Sequence, residues 1–470
     1  MEISQPQSAR FLSDNMELLG FGDPCSALIQ AVKELFENAL DAIQYTEAGM
    51  IAVRLKEVEH DVNVLEIVCT DTGSGMHANQ VAQLCCNVFA TTKSSRSISA
   101  SQCGKFGIGL KAALLYSQNH ASIVDSSLKV TSTLNSSEFY YAELVIDPEA
   151  HDNGALVRKS KRFHVSEAHK SFSGTEIRLQ LPRPHHLVDA LHVLMPYFDN
   201  LRYCLATSVS VDFSCDIPGF NQYQVCCASQ LSPLERFLDA FKCPYESLAH
   251  ADVDWKSFHA NCLALSPYLD ETNLDGRCPV TIHIMRFANH VPLLPRKDVY
   301  ACAMTIAVQR SDWKALGYKC VVGTSMYAPL QLVPLSINER SASVQEPKHV
   351  VVAIDVDTCG APAKFTSLTK TALVEASYLQ GVSQCMALAL DQLARIYPIL
   401  FRRANRSHTL ATEYAPLIAT AVSSILVNAT YAGVNVEHFE PGRPLYGVQS
   451  RVELDQRVLD HMTSLLRPHS

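Results

Sequence analysis

The stretch Glu34-Leu35-Phe36-Glu37-Asn38-Ala39-Leu40-Asp41-Ala42 decides how the first half of this chain is read. It lies in a segment, 26–44, with helical periodicity. Ser26 stands where an N-cap belongs, and Ala27, Ile29, Ala31, Val32, Leu35, Phe36, Ala39 and Leu40 make a broad apolar face. Glu34, Asn38 and Asp41 fall at i, i+4 and i+7, within about 60° of one another at ~100° per residue. Alone, such a polar stripe is a solvated helix face. Turned toward a pocket it has a use: Asn38 offers an oxygen to a metal, and Glu34 can take a proton from an attacking water. Glu37, one turn from Glu34, is the rival base.

Two glycine motifs follow. The first, Asp71-Thr72-Gly73-Ser74-Gly75, closes a strand signal at 64–69. Glycine lets backbone approach a ligand and take φ > 0. A buried Asp71 there can accept from an exocyclic amine such as that of adenine, although a simple turn explains one D-x-G-x-G equally well. The second, Gly104-Lys105-Phe106-Gly107-Ile108-Gly109, precedes a helix signal at 107–118. Free N–H groups and the dipole at a helix start favour phosphate. A polar stretch, 91–103, with the composition of a mobile loop precedes this motif, so it is no dinucleotide fingerprint. A Walker-type G-x-x-x-x-G-K-[ST] is absent. Lys93, Lys105 and Lys111 can each reach phosphate, though a lone lysine is more often solvated.

Further strands are expected at 51–55, 121–133, 140–146 and 175–181, an α+β pattern with a mixed or antiparallel sheet and no regular βαβ array. A helix at 187–204 and a strand at 207–213 follow, then a short helical segment at about 231–265. From Pro279 a second α/β unit is read, with strands at 280–285, 305–309 and 349–356 and helices at about 369–403 and 412–427. The last stretch, 431–470, carries weak signals.

Composition bounds the partners. A chain of 470 residues, 47% hydrophobic and 18% charged, allows two or three domains with large cores. A net charge of -8 announces no global nucleic-acid field. None of the 16 cysteines is spaced C-x-x-C; the adjacent pairs Cys85-Cys86 and Cys226-Cys227 suit zinc poorly, so reduced, buried cysteines are expected. No basic-then-apolar leader is read, and no run reaches ~18 apolar residues. A reducing compartment and no membrane association are expected.

Taken in order, the three motifs resemble the GHKL ATPase superfamily of type II topoisomerases, mismatch-repair MutL proteins, heat-shock chaperones and histidine kinases. The resemblance implies a GHKL (Bergerat) α/β sandwich that binds ATP with Mg2+. It makes Glu34 the general base, Asn38 the Mg2+ ligand and Asp71 the adenine reader. Asp41, Gly73, Gly75, Lys93 and Lys111 join the nucleotide contacts. Gly104, Lys105, Phe106, Gly107, Ile108 and Gly109 become the ATP lid and phosphate loop. Gly174-Thr175 matches the late Gly-Thr motif beside the adenine pocket.

Other segments are similar to the topoisomerase VI B subunit. Ser8-Ala9-Arg10-Phe11 and Leu18-Leu19-Gly20-Phe21-Gly22-Asp23-Pro24 resemble its N-terminal strap. Leu114-Leu115-Tyr116-Ser117-Gln118 resembles its lid helix. Arg286-Phe287-Ala288-Asn289-His290-Val291-Pro292-Leu293-Leu294, with Asp312-Trp313-Lys314 downstream, resembles its transducer. Phe365-Thr366-Ser367-Leu368-Thr369-Lys370 aligns with a transducer loop that brings a lysine, here Lys370, to the γ-phosphate. Two departures stand out. Pro295-Arg296-Lys297 replaces the usual continuation, and 227–272 is shorter than the family's helix–two-turn–helix domain.

The organisation implied is an ATPase domain with strap over 1–226, a shortened helical middle segment over 227–272, a ribosomal protein S5-like α/β transducer over 273–430, and a tail over 431–470. The activity implied is an ATP-driven clamp. It homodimerises on ATP binding and controls cleavage of double-stranded DNA by a separate A subunit, or that subunit's meiotic relative, in an A2B2 heterotetramer. The chain carries no recognisable cleavage site and ends soon after the transducer helix, so no extra C-terminal domain is expected. A nuclear location is expected for a eukaryotic protein and a cytoplasmic one otherwise. The alternative is a non-catalytic B-like scaffold of the meiotic double-strand-break machinery. Arg402, Arg403 and Arg406 form a small basic cluster, more simply read as a solvated helix end.

Overall fold

A computed structural model of the chain describes residues 8–43, 48–59, 61–88, 90, 107–120, 123, 125–148, 155–164, 173–205, 208–220, 223–228, 230–266, 280–294, 299–310, 318–321, 330–334, 348–359, 361, 363–367, 369–370, 372–397, 415–430 and 448–466. Two mixed α/β units follow one another along the chain.

In the first unit a short helix α1 (Ser8–Asp14) leads to the long α2 (Pro24–Ile43). Asp23 caps α2, not Ser26: its carboxylate accepts from the backbone N–H groups of Cys25 at 2.9 Å and Ser26 at 3.1 Å. The helix begins at Pro24 because proline has its φ preset and no N–H to satisfy at the first helical position. Strands β1 (Gly49–Val58) and β2 (Asp61–Asp71), helices α3 (Val81–Cys86) and α4 (Gly109–Gln118), strands β3 (Leu128–Thr133), β4 (Glu138–Ile146), β5 (Ala155–His164) and β6 (Gly174–Pro182), helix α5 (Leu187–Asn200), and strands β7 (Val209–Asp216) and β8 (Gln224–Cys227) complete it.

The strands form one sheet of order β5-β4-β3-β6-β2-β1-β7-β8, antiparallel except for β1 beside β7. Ala27, Leu28, Ala31, Val32, Leu35, Phe36 and Ile43 of α2 are buried against it. Phe36 meets the Phe198 ring of α5 edge-on at 5.3 Å, and Phe198 stacks on Phe213 of β7 at 4.3 Å, so an aromatic chain fixes the roll of α2 over the sheet. That roll aims the polar stripe of α2.

The second unit starts with α6 (Pro233–Ala240), then β9 (Ala249–Trp255), β10 (Phe258–Leu265), β11 (Val280–Ala288), β12 (Val291–Pro292), α7 (Val299–Arg310), β13 (Tyr318–Val321), β14 (Leu330–Pro334), β15 (Lys348–Asp357) and α8 (Glu375–Ile396). Its sheet runs β13-β14-β11-β15-β10-β9, with β12 paired to β11. Helices α7 and α8 share a core with one face of the sheet, while Phe237 and Leu238 of α6 pack with Leu265, Met285 and Phe287. Val291 and Leu294 join the core of the first unit, so the segment 286–294 stitches the two units together. The helices Ala415–Thr430 and Arg451–Leu466 pack on each other.

Several sequence expectations are corrected. Of the helical middle read at 231–265, only α6 is a helix; β9 and β10 form a hairpin in the second sheet. The residues 249–265 therefore belong with the unit assigned to 273–430, and among the described residues of 227–272 no second α-helix exists to make a helix–two-turn–helix. The missed signal is period-2 alternation: Ala249, Ala251 and Val253 are buried while His250, Asp252 and Asp254 are exposed. The strand expected at 305–309 is part of α7. Its β-branched residues favour a strand, but Val299, Tyr300, Ala303, Met304, Ala307 and Val308 are buried at helical spacing. The strand expected at 121–133 starts only at Leu128, and the helix expected from 369 starts only at Glu375. The strands β5, β13 and β14 and the helices α3 and Arg451–Leu466 were not expected.

Candidate functional site

The site begins where β2 ends. Sheet register sets Asp71 opposite Ile51 on one side and Thr175 on the other, with Ser132 next in the row. Asp71 is buried and accepts from the Gly73 N–H at 2.8 Å. Burial pushes its carboxyl up to about 6, against the opposing pull of the Gly73 and Thr175 backbone N–H groups. Gly174, at φ +94°, closes the row. A Cβ there would stand 2.4 Å from the Asp71 carbonyl oxygen and 2.7 Å from its Oδ1, so only glycine lets β6 lie so close. Thr175 Oγ1 lies 3.0 Å from Ser132 Oγ, which in turn accepts from the Met76 N–H at 2.8 Å.

Above this row α2 and the start of α4 enclose a cavity of about 540 Å³, within the roughly 300–1,000 Å³ of small-molecule sites. Glu34, Asn38, Asp41, Asp71, Gly75, Gly107, Ile108, Gly109, Lys111 and Thr175 all line it. Gly73 supports it through Asp71. Lys93, Gly104, Lys105 and Phe106 lie outside the described residues, as do Asp312, Trp313, Lys314, Arg402, Arg403 and Arg406. The stripe Glu34, Asn38, Asp41 faces the cavity. Gln30, one turn before Glu34, donates to its Oε1 at 2.9 Å. Gly109 gives Glu34 its seat: a Cβ there would meet Glu34 Oε2 at 2.0 Å. The carboxylate thus rests on the N-terminal turn of α4, where the helix dipole favours negative charge. The buried Lys111 of α4 also lines the cavity and donates to the Ala90 carbonyl at 3.3 Å.

A residue from the second unit completes the wall. Phe365 and Leu373 pair across a loop that precedes α8, and Lys370 sits in its bend at φ +52°. Thr369 packs on Gly20, and its carbonyl accepts from Lys33 Nζ at 3.4 Å. Lys370 Nζ is 2.8 Å from Glu37 Oε2 and 4.0 Å from Glu34 Oε1. Lys33 Nζ holds the other Glu37 oxygen at 2.7 Å, with Lys33 and Glu37 only 1% and 3% exposed. Burial pushes Glu37 up, but the Lys33 and Lys370 ammoniums outweigh it and hold the carboxyl down at about 2. Glu37 does not line the cavity, whereas Glu34 does.

Gln30, Lys33 and Ser132 were not singled out in the sequence. For Lys33 a signal existed: Lys33 and Glu37 stand at i, i+4 in an otherwise apolar helix.

Residues 26–169 match the family described as histidine kinase-, DNA gyrase B- and HSP90-like ATPase. This region is a GHKL ATPase domain. The B subunit of type 2 DNA topoisomerase 6 from Saccharolobus solfataricus is 29% identical over 200 residues, 40% of this chain and 36% of that protein. The protein of the same name from Saccharolobus shibatae gives the same values. The match thus spans 36% of the length of these curated relatives. The 43K ATPase domain of Thermus thermophilus gyrase B superposes with a TM-score of 0.43 at 14% identity, over 87% of this chain and 98% of that one. The GHKL fold implies ATP binding. The cavity fits such a ligand: Asp71 is placed for an amine, Gly107–Gly109 and Lys111 for phosphate. Asn38 offers the neutral oxygen that Mg2+ takes alongside phosphates.

No helix among the described residues is long and apolar enough to cross a membrane.

Proposed function

We propose that this chain is the ATP-hydrolysing B subunit of a type IIB DNA topoisomerase, working with a separate A subunit that cleaves double-stranded DNA. The observation that carries this reading is Lys370, which leaves its own unit to stand 4.0 Å from Glu34. An ATPase that did not report to a second domain has no need of that reach.

Glu34 takes a proton from the water that attacks the γ-phosphate. The Asp71 carboxylate accepts from the adenine amine. The N–H groups at the start of α4, with Lys111, hold the phosphates. Mg2+, bound through Asn38, would neutralise phosphate charge. Lys370 turns from Glu37 to the γ-phosphate and draws the second unit with it. Lys33 stays on Glu37, so that carboxylate remains paired. Two copies pair on ATP binding, and the strap helix α1, which rests on α4 of its own chain through Asn119 and Ser13 at 2.9 Å, orders at that interface.

Lys370→Ala tests this. It should impair ATP hydrolysis and DNA relaxation with the co-purified A subunit, yet leave ADP binding nearly intact. Wild-type turnover and relaxation in that variant would remove Lys370 as the sensor. No turnover by the wild type, with DNA and the A subunit present, would leave the scaffold reading.

Asp71 sets a pH dependence. With its pKa raised to about 6 from 3.8, the protonated form favours the folded state at low pH, and that contribution is lost as pH rises through 6. Nucleotide needs the ionised form, so affinity should fall as pH drops below about 6. Asp71→Asn should weaken binding by about 1.5–3 kcal/mol and lose this part of the pH dependence. Calorimetry of both proteins across pH 5–8 reads it; an affinity and profile equal to wild type would take Asp71 out of the site.

A further inference from the structure

Among the described residues, strand β5 forms an outer edge of the first sheet, paired only with β4. Within five consecutive residues it carries Arg158, Lys159, Lys161 and Arg162, all exposed, with His164 beyond. The ATP cavity uses none of them. Lys159 approaches Glu143 at 3.4 Å and Arg162 approaches Glu138 at 3.6 Å, with the cationic side chains 64% and 66% exposed. Pairs so exposed are weak and screened by solvent, and do not hold these cations from another anion. Lys161 lies 5.4 Å over both the Tyr141 and Phe163 rings. Arg158 has no ion-pair partner among the described residues.

At about 3.3–3.4 Å per residue Lys159 and Lys161 stand ~6.7 Å apart on one face of β5, Arg162 stands on the other, and Arg158 occupies a bulge where the pairing with β4 shifts register. The outer edge adds backbone N–H donors along the same line. Together they line one sheet edge with positive charge on both faces and with donors between, on a chain whose net charge is -8. Its natural counterpart is a linear polyanion, and duplex DNA carries one charge per ~1.7 Å of axis. Charge on an edge strand also blocks pairing with other strands, but either sign serves that end. Here every titratable side chain from 158 to 164 is basic.

We propose that β5 is a contact site for the backbone phosphates of duplex DNA. The inference rests on the topoisomerase reading only in naming DNA as the polyanion; it does not depend on turnover.

The test is binding of the full chain to a random-sequence duplex, by fluorescence anisotropy across a KCl series. Replacing all four cations (R158Q/K159Q/K161Q/R162Q) should weaken binding and flatten the slope of log K against log[salt] by about 3–4. The double variant R158Q/R162Q, which disturbs the strand less, should flatten it by about 2. The charge-keeping swap R158K/K159R/K161R/R162K should bind as wild type. ATP turnover without DNA should match wild type in all three. An unchanged slope in the Gln variants overturns the proposal, as does an equal loss of binding to polyglutamate, which would make the strand a general polyanion trap. A wild type that hydrolyses ATP but binds no duplex overturns it too and leaves the ATPase reading intact.

Discussion

Glu34→Ala is expected to bind ATP and to hydrolyse it at least about 10²-fold more slowly, the scale on which a positioned general base contributes. Glu34 lines the cavity, is oriented by the Gln30 amide at 2.9 Å, and rests on Gly109 at the start of α4. Each contact fixes where the carboxylate points without occupying both oxygens. Glu34→Gln should show the same loss, since an amide of the same shape takes no proton. The rival, Glu37, is ill suited to the task. It is ion-paired on both oxygens, held at about 2, and turned away from the cavity, so its basicity at neutral pH is low. Isothermal calorimetry for binding and a phosphate-release assay for turnover check this. Turnover near wild type in Glu34→Gln would take the base role from Glu34.

The second large effect falls on stability. Glu37→Ala leaves the Lys33 and Lys370 ammoniums facing each other in a site where Lys33 is 1% exposed. Removing one partner of a buried ion pair costs about 3–5 kcal/mol, since the remaining charge stays desolvated. The variant should lose that much in chemical denaturation. The double substitution Lys33→Met/Glu37→Leu should recover most of it, because apolar groups of similar volume need no counter-charge. The acid limb gives an independent reading. Glu37 titrates at about 2 when folded against an ordinary 4.5. Its contribution is therefore present above pH 4.5 and lost as pH falls from 4.5 toward 2. Wild type should lose that increment and the double variant should not. A Glu37→Ala protein as stable as wild type would mean that water reaches and solvates this cluster.

The cost of this cluster has a functional counterpart. Lys33, Glu37 and Lys370 bind the second unit's loop to α2, and the Glu34 carboxylate lies beside them. A γ-phosphate entering the cavity would compete for Lys370, while Glu37 would keep Lys33. That exchange would cost less than freeing a buried carboxylate.

Local chemistry was enough to reveal part of this protein. The stripe Glu34, Asn38, Asp41 was legible because helical spacing alone puts those positions on one face, and an apolar helix makes their polarity conspicuous. Asp71 was legible because a strand running into D-x-G-x-G must stop there, and the α+β class because strand and helix periods do not alternate regularly. Where local preference and packing disagreed, only the tertiary structure decided. The run 305–309 has strand propensity, but the surfaces of β-sheet and α8 reward its helical burial. The alanine-rich run 249–265 reads as helical, but as a hairpin it completes a sheet. The partnership of Lys33, Glu37 and Lys370 spans 333 residues of sequence between Glu37 and Lys370. A resemblance pointed to Lys370, but no local pattern encodes which carboxylate it meets. That is settled by how Val291 and Leu294 seat the second unit against the core of the first, since ion pairs act over a few ångströms and sequence distance says nothing about them.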